Sequence, residues 1–432
     1  MKKKLTAVLT AVLLLLSLTA CGNDKTAQST NDASTTKFTP KLDTDTEDTL
    51  EIAGFMGNFE ALDEVINGFN DIYPNVTVTY DHNASFMLPQ YLKSNTNIDL
   101  FMTSDQNIKL SDSEDYFVAD SCLDLSKEDI DVSSLQENAV KDCTVDGKLL
   151  TLPIAMHTYG IVVNKTLLKK EGLSVPTTYQ EFLNVLEILK TKGYTPLQGS
   201  QKHLYGDLMI NMAMNLIAED PDLEKALEAK DESAADSIQP VFDRLETIIN
   251  KGYTDYKLNC TYPEDNYDGS IMAFFEGKMP FYVCNAECVS GMKKRESKSE
   301  AFTADPFDYE FMYAPTGANG VYAYTEPWYG FAVNKDSDQK DLAVEFLRFM
   351  ATKLDDMANI KGLPSVVADS KTDSRYAAIQ NVKNAEATFS NDGSVPDSMR
   401  LAFLNVCEKF GAGEYKNAHE AAVAFKKQEI GF

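Results

Sequence analysis

The chain has 432 residues, 44% of them hydrophobic and 25% charged, with a formal net charge of −26 at neutral pH. At roughly 100–200 residues per domain, that length carries two or three domains and ample material for their cores. So acidic a surface repels phosphate backbones and anionic bilayers, which argues against nucleic acid as a partner and keeps the body of the protein off a membrane.

In chain order, the first predicted element is a leader. Lys2, Lys3 and Lys4 precede an apolar run from Leu5 to Leu18, and Leu18-Thr19-Ala20-Cys21 follows. A basic start, a short apolar stretch and small residues before a cut site read as a secretory signal peptide over residues 1–20. The run is short of the roughly 20 residues that span a bilayer. A cysteine at the cut site makes the segment resemble a bacterial lipoprotein lipobox. That resemblance implies an acyl lipid such as palmitate on the Cys21 thiol, and a mature protein anchored at the extracytoplasmic face of the cell membrane. Residues 21–47 are rich in Ser, Thr, Asn, Asp and Lys. They bury too little apolar area to offset chain entropy and read as a flexible linker.

From Thr49 the pattern changes. Leu50-Glu51-Ile52-Ala53-Gly54-Phe55 predicts a strand, and Leu62, Val65, Ile66, Phe69 and Ile72 fall at helical spacing up to Pro74. Val76–Tyr80 and Ile98–Met102 predict two more strands. Strand, helix, strand, strand points to a parallel sheet with crossover helices, so the fold class is α/β. Leu152-Pro153-Ile154 and Gly160–Val163 are again strand-like. Thr178 then caps a helix, with Glu181 three residues on as a capping box and Gly193 at its end. Residues 207–250 are helical in pattern throughout, Phe331-Ala332-Val333 is a strand, Ser337 is placed to cap the next helix, and the stretch from Ser398 is mostly helical. Six further cysteines, Cys122, Cys143, Cys260, Cys284, Cys288 and Cys407, leave the disulfide state open. Cys284 and Cys288 lack the neighbouring Cys or His that a zinc site needs, so no metal and no other cofactor is expected.

Three segments carry a resemblance to a known family. The first is Asp146-Gly147-Lys148-Leu149-Leu150-Thr151-Leu152-Pro153, continued by Thr158–Lys165 and Pro176–Phe182. The second is Pro327-Trp328-Tyr329-Gly330-Phe331-Ala332-Val333-Asn334-Lys335 with Ala343–Leu347, and the third is Gly362-Leu363-Pro364-Ser365. In that order they resemble the maltose-binding-protein-like solute-binding proteins of ABC importers. Val163 stands where the family usually has Tyr, and Tyr179 where it has Trp. The resemblance implies a two-lobed periplasmic-binding-protein-like fold of class II topology with three interlobe hinge crossings. Lobe 1 would comprise residues 48–156 plus 330–363, and lobe 2 residues 157–329 plus 364–432. It implies a monomeric binding protein, not an enzyme, that captures a carbohydrate between the lobes and delivers it to the permease subunits of an importer.

Candidate ligand contacts follow. Trp328, the sole tryptophan, and Tyr329 lie at the second crossing and Tyr159 at the first; aromatic faces stack on the C–H faces of sugar rings. Pro327 and Gly330 favour a surface turn around Trp328, the alternative being a core aromatic in a crossing strand. Phe55, Met56, Asn58 and Glu60 form the loop beyond the first strand, where ligands of open α/β sheets bind; turn and cap chemistry explains Asn58 and Glu60 as well. Asp105 follows the third strand, as a hydroxyl acceptor or a helix cap. Asn285 corresponds to a family cleft loop and offers both donor and acceptor. Rival functions are the binding of a peptide, a polyamine or another polar solute, and a surface glycoside-active enzyme. The enzyme needs two carboxylates flanking a bond, and sequence singles out no such pair.

Overall fold

The first predicted strand forms as β1 (Asp48–Ala53), and the helix Glu60–Asn70 turns Leu62, Val65 and Phe69 into the core behind it. β2 (Val76–Asp81) and β3 (Leu100–Thr103) flank β1, both parallel to it. Gly54 ends β1 beneath an aromatic ring. A Cβ there would sit 2.5 Å from the Tyr80 hydroxyl, so only glycine admits this approach. In this computed structural model the described residues are 38–83, 88–94, 97–104, 108–109, 117–229, 236–262, 267–315, 321–370, 385–390 and 397–429.

Ten further strands follow among the described residues. β4 (Thr144–Val145) and β5 (Lys148–Leu149) form a hairpin closed by Asp146 and Gly147, both at positive φ (51° and 75°), as a tight two-residue turn requires. Then come β6 (Leu152–Pro153), β7 (Met156–Asn164), β8 (Leu197–Gly199), β9 (Phe281–Asn285), β10 (Tyr309–Met312), β11 (Val321–Pro327), β12 (Gly330–Val333) and β13 (Ala385–Ser390). The first sheet has the order β2-β1-β3-β12-β6. Its early strands are parallel, as expected, but β12 runs antiparallel between β3 and β6, because it returns from the other sheet. The second sheet has the order β13-β11-β7-β9-β8, with β10 also on β7. β7 is its spine and runs antiparallel to β9, β10 and β11.

The chain passes between the sheets at 154–155 and at 328–329, and Pro364 lies beside these passes. Backbone bonds tie these passes to one another. Ile154 N–H donates to the Tyr329 carbonyl (3.0 Å), Trp328 N–H to Ala155 (2.9 Å), and Met156 N–H to Pro364 (2.8 Å). Gly330 lies flat against the neighbouring strand; a Cβ there would meet the Leu152 carbonyl oxygen at 2.6 Å.

Several local expectations are corrected. The linker expected to reach residue 47 meets the folded body at Phe38, whose ring packs edge-on against Phe349 at 5.2 Å. Lys41 N–H donates to Glu345 Oε1 (2.8 Å), and the Tyr73 hydroxyl donates to the same buried carboxylate (2.5 Å). Ser337 does not begin the next helix, which spans Lys340–Ala351. Its buried hydroxyl accepts the Gln339 N–H (2.8 Å) in the turn before the helix and donates to Asp99 Oδ1 (2.6 Å), while Asp99 Oδ2 accepts the Glu51 N–H (2.8 Å). The helical stretch 207–250 is interrupted at Asp220, which caps Pro221–Glu228. At Thr178 half of the capping box forms. Its hydroxyl accepts the Glu181 N–H (3.2 Å), but the Glu181 carboxylate binds Thr177 instead, at N (2.8 Å) and at Oγ1 (2.9 Å). The six cysteines from Cys122 to Cys407 are free thiols, and no helix among the described residues is long and apolar enough to cross a membrane.

Candidate functional site

Where the carboxyl end of β3 faces the passes between the sheets, the surface folds in on a cavity of about 250 Å³. Ser104 contributes from the first sheet. His157, Tyr159, Glu326 and Pro327 come from the paired starts of β7 and ends of β11, and Trp328 and Tyr329 from the pass itself. Lys202, His203 and Asp207 come from a π-helical turn, Lys202–Asp207, that follows β8. Such turns widen the helix and often mark functional positions. Asn285 and Glu287 complete the lining at the start of the helix Ala286–Glu296.

Glu326 organises one wall. It is 6% exposed, and its two oxygens accept from two tyrosines, Tyr159 (2.5 Å) and Tyr324 (2.7 Å). These bonds to a charged acceptor offset the cost of burying a carboxylate. The Tyr159 and Tyr324 rings stack with centroids 5.8 Å apart. His203 lies opposite, buried, with Nε2 3.5 Å from Asn285 Nδ2 and 3.7 Å from Asp207 Oδ2. Burial, aided by the Lys202 charge and by His157, holds the His203 imidazole down to about 3, so burial outweighs the nearby carboxylate. Burial likewise lowers His157, although Glu287 and Glu326 pull the other way. Both rings are neutral at neutral pH.

The aromatic positions meet at this edge. Trp328 packs against Tyr329 (5.0 Å between centroids) and Phe59 (6.3 Å), and Phe55 packs edge-on against Tyr329 (4.7 Å). Lys361 places its ammonium 4.8 Å from the Trp328 ring centroid, and burial lowers its pKa. Trp328 is 5% exposed, so the surface turn suggested by Pro327 and Gly330 is a buried pass. Its backbone bond to Ala155 draws it inward, and its indole N–H finds no protein acceptor.

Of the positions singled out from sequence, Trp328, Tyr329, Tyr159 and Asn285 converge on the cavity. Asn285 also caps its helix, Oδ1 accepting the Cys288 N–H (3.1 Å). Phe55 and Met56 stand behind the lining, Phe55 against Tyr329 and Met56 donating its N–H to the Tyr80 hydroxyl (3.2 Å). Asn58 is exposed in a turn at φ 54°, a conformation that asparagine tolerates. Glu60 begins the helix Glu60–Asn70, faces Lys294 at 3.8 Å and lines a separate outer groove of about 740 Å³. That groove takes its lining from the helices Glu60–Asn70 and Leu354–Lys361 and from Asp71 and Lys353, with none of the converging residues. Asp105 lies outside the described residues. Sequence reading missed His157, Lys202, His203, Asp207, Glu287 and Glu326. The presence of His203 and Asp207 on one helical face was the available signal, a spacing shared by countless ordinary helices.

A curated relative, the multiple sugar-binding protein of Streptococcus mutans, is 34% identical over 65 residues, 15% of this chain and 16% of its own length. The match thus spans about a sixth of that relative. Among solved structures, one described in a study of xylan utilization by Caldanaerobius polysaccharolyticus superposes with a TM-score of 0.69 at 20% identity, covering 88% of this chain and 99% of the other. A sugar transporter protein of Bacillus licheniformis in complex with stachyose gives 0.64 at 18% identity, covering 88% and 99%. These likenesses establish the two-lobed α/β fold. The family model of the bacterial extracellular solute-binding proteins matches residues 54–353, and the chain belongs to that family.

Proposed function

We propose that this protein is a lipid-anchored receptor that captures a sugar or short oligosaccharide in the cavity at the lobe passes and presents it to the permease of an ABC importer. The observation that carries this reading is the convergence of Trp328, Tyr329 and Tyr159 with buried polar side chains on one cavity bordered by both sheets. Rings that pack against sugar C–H faces, beside carboxylate and amide groups that hold hydroxyls, are the chemistry of carbohydrate capture. The names of the similar proteins point the same way. Lobe 1 is taken as residues 48–156 plus 330–363 and lobe 2 as 157–329 plus 364–432. With passes tied to one another, relative motion reduces to opening and closing, and a ligand touching both lobes favours the closed form. Acylation of Cys21 after removal of residues 1–20 would tether the receptor, and the protein performs no chemistry on its guest.

The test is a fluorescence titration of the leaderless protein with a panel of mono- and oligosaccharides, read at its single tryptophan. A saturable shift with the sugar recovered intact supports capture. Product formation would instead indicate a glycoside-active enzyme, and silence across the panel would reject the carbohydrate reading. Metabolic labelling with a fatty acid should mark the full chain and fail in Cys21→Ser.

A further inference from the structure

The cavity has an uneven charge distribution. Three carboxylates line it, from Asp207, Glu287 and Glu326, against the ammonium of Lys202. Their depths differ as well. Asp207 and Glu326 are 7% and 6% exposed and Glu287 is half-buried, whereas Lys202 is exposed at the rim. The ammonium of Lys361 stands over the Trp328 ring, outside the lining itself, and is attracted to Glu287, which leaves the acids in excess by one. The two imidazoles in the wall, His157 and His203, are neutral and do not balance the acids.

Hydrogen-bonding capacity is uneven too. Ionised carboxylates only accept, and each offers about four lone-pair sites. Glu326 receives one tyrosine hydroxyl on each oxygen. The Tyr159 hydroxyl proton is already given to Glu326, so toward a guest that oxygen accepts. Asn285 Oδ1 is taken by its own helix. The Lys202 ammonium and the Trp328 indole N–H are donors in the same lining, so its excess of acidic side chains, rather than a want of donors, sets the guest it favours.

We infer that this site selects by charge: it binds a sugar bearing an ammonium group more tightly than the neutral sugar of the same frame, and it excludes the corresponding uronic acid. The inference rests on the carbohydrate reading above and names the class of sugar. An ammonium brings a compensating charge to the acidic side chains, a hydroxyl brings none, and a carboxylate brings a like charge toward them. Low-dielectric walls strengthen both the attraction and the repulsion.

The experiment uses matched triplets, the neutral, 2-amino and uronic forms of gluco-, galacto- and manno-configured mono- and disaccharides, titrated calorimetrically into the leaderless protein near neutral pH. In any triplet that binds, the amino sugar should exceed the neutral one by tenfold or more, and the uronic acid should fall a hundredfold or more below it. Glu326→Gln should shrink the amino preference and let the uronic acid in. Glu287→Gln, on a half-buried residue, serves the same purpose if Glu326→Gln does not fold. A triplet whose uronic acid binds as well as its neutral member overturns the charge inference while carbohydrate capture stands. Failure of every triplet overturns the carbohydrate reading and this inference with it.

Discussion

Acidification should weaken this protein well before its carboxylates begin to titrate, and His203 sets the size of the effect. Its imidazole, ordinarily near 6.5, is held to about 3 chiefly by burial. Below 6.5 the unfolded chain therefore binds a proton that the folded one refuses. A base with a depressed folded pKa contributes its full stability above the unfolded value and loses it as pH falls toward the folded value. Each pH unit in that window costs about 1.4 kcal/mol, so His203 alone should remove about 2 kcal/mol between pH 7.5 and about pH 5. His157, also lowered by burial, acts in the same direction. Carboxylates held low by their partners, such as Asp81 beside the Tyr91 hydroxyl, keep their contribution until about pH 4, so the window isolates the imidazoles. Urea unfolding of the leaderless protein across this range measures the slope, and His203→Gln should lose the His203 share of it. Stability that stays level, or rises, on acidification would refute the reasoning. It would mean that Asp207, 3.7 Å away, holds His203 as an imidazolium despite its burial.

Three other perturbations probe other parts of the molecule. Tyr159→Phe removes one of the two hydroxyls that Glu326 accepts and should cost about 1–3 kcal/mol in urea unfolding, with sugar affinity reduced in parallel; an unchanged midpoint would show the carboxylate to be satisfied without it. Gly330→Ala drives a Cβ to 2.6 Å from the Leu152 carbonyl oxygen, which belongs to backbone and cannot swing aside, so a loss of about 1–3 kcal/mol is expected and parental stability would contradict the packing. Among the described cysteines Cys260 alone is exposed, while burial raises the Cys122 thiol to about 12 and lifts Cys284 and Cys407 well above their usual value. A thiol reagent should therefore label one described position rapidly in the folded leaderless protein and none of them rapidly in Cys260→Ser, with the rest reacting only on unfolding.

Local signals carried much of the architecture. Alternation at Val76–Tyr80 became β2, and helical spacing around Leu62 and Phe69 became the helix Glu60–Asn70. The paired aromatic residues at 328 and 329, with Tyr159 and Asn285, reached the cavity because they sit at strand ends and passes that short motifs mark. What stayed hidden depends on partners far along the chain. Glu326 is one of 66 acidic residues until Tyr159, 167 positions earlier, is seen to donate to it. Ser337 reads as the helix cap, but its oxygen accepts only in the turn ahead of the helix, and its proton goes to Asp99, 238 positions earlier. The π turn that turns Lys202, His203 and Asp207 toward one space differs from an α-helix by a single backbone register, which residue type does not encode. Pro327 and Gly330 point Trp328 outward, but a backbone bond to Ala155, made only once the sheets are joined, carries it inward.

The position of β12 also bears on how the protein is made. Its four residues, Gly330–Val333, lie between β3 and β6, strands that emerge from the ribosome some 170 or more residues earlier. At a synthesis rate of about 5–20 residues per second, β3 and β6 wait on the order of ten seconds or more for the strand that joins them. Throughout that interval both keep an unpaired edge, the kind of surface that invites wrong partners. A nascent chain stalled short of Gly330 should therefore remain competent for a translocase and vulnerable to proteases, and become refractory to both once Val333 is in place.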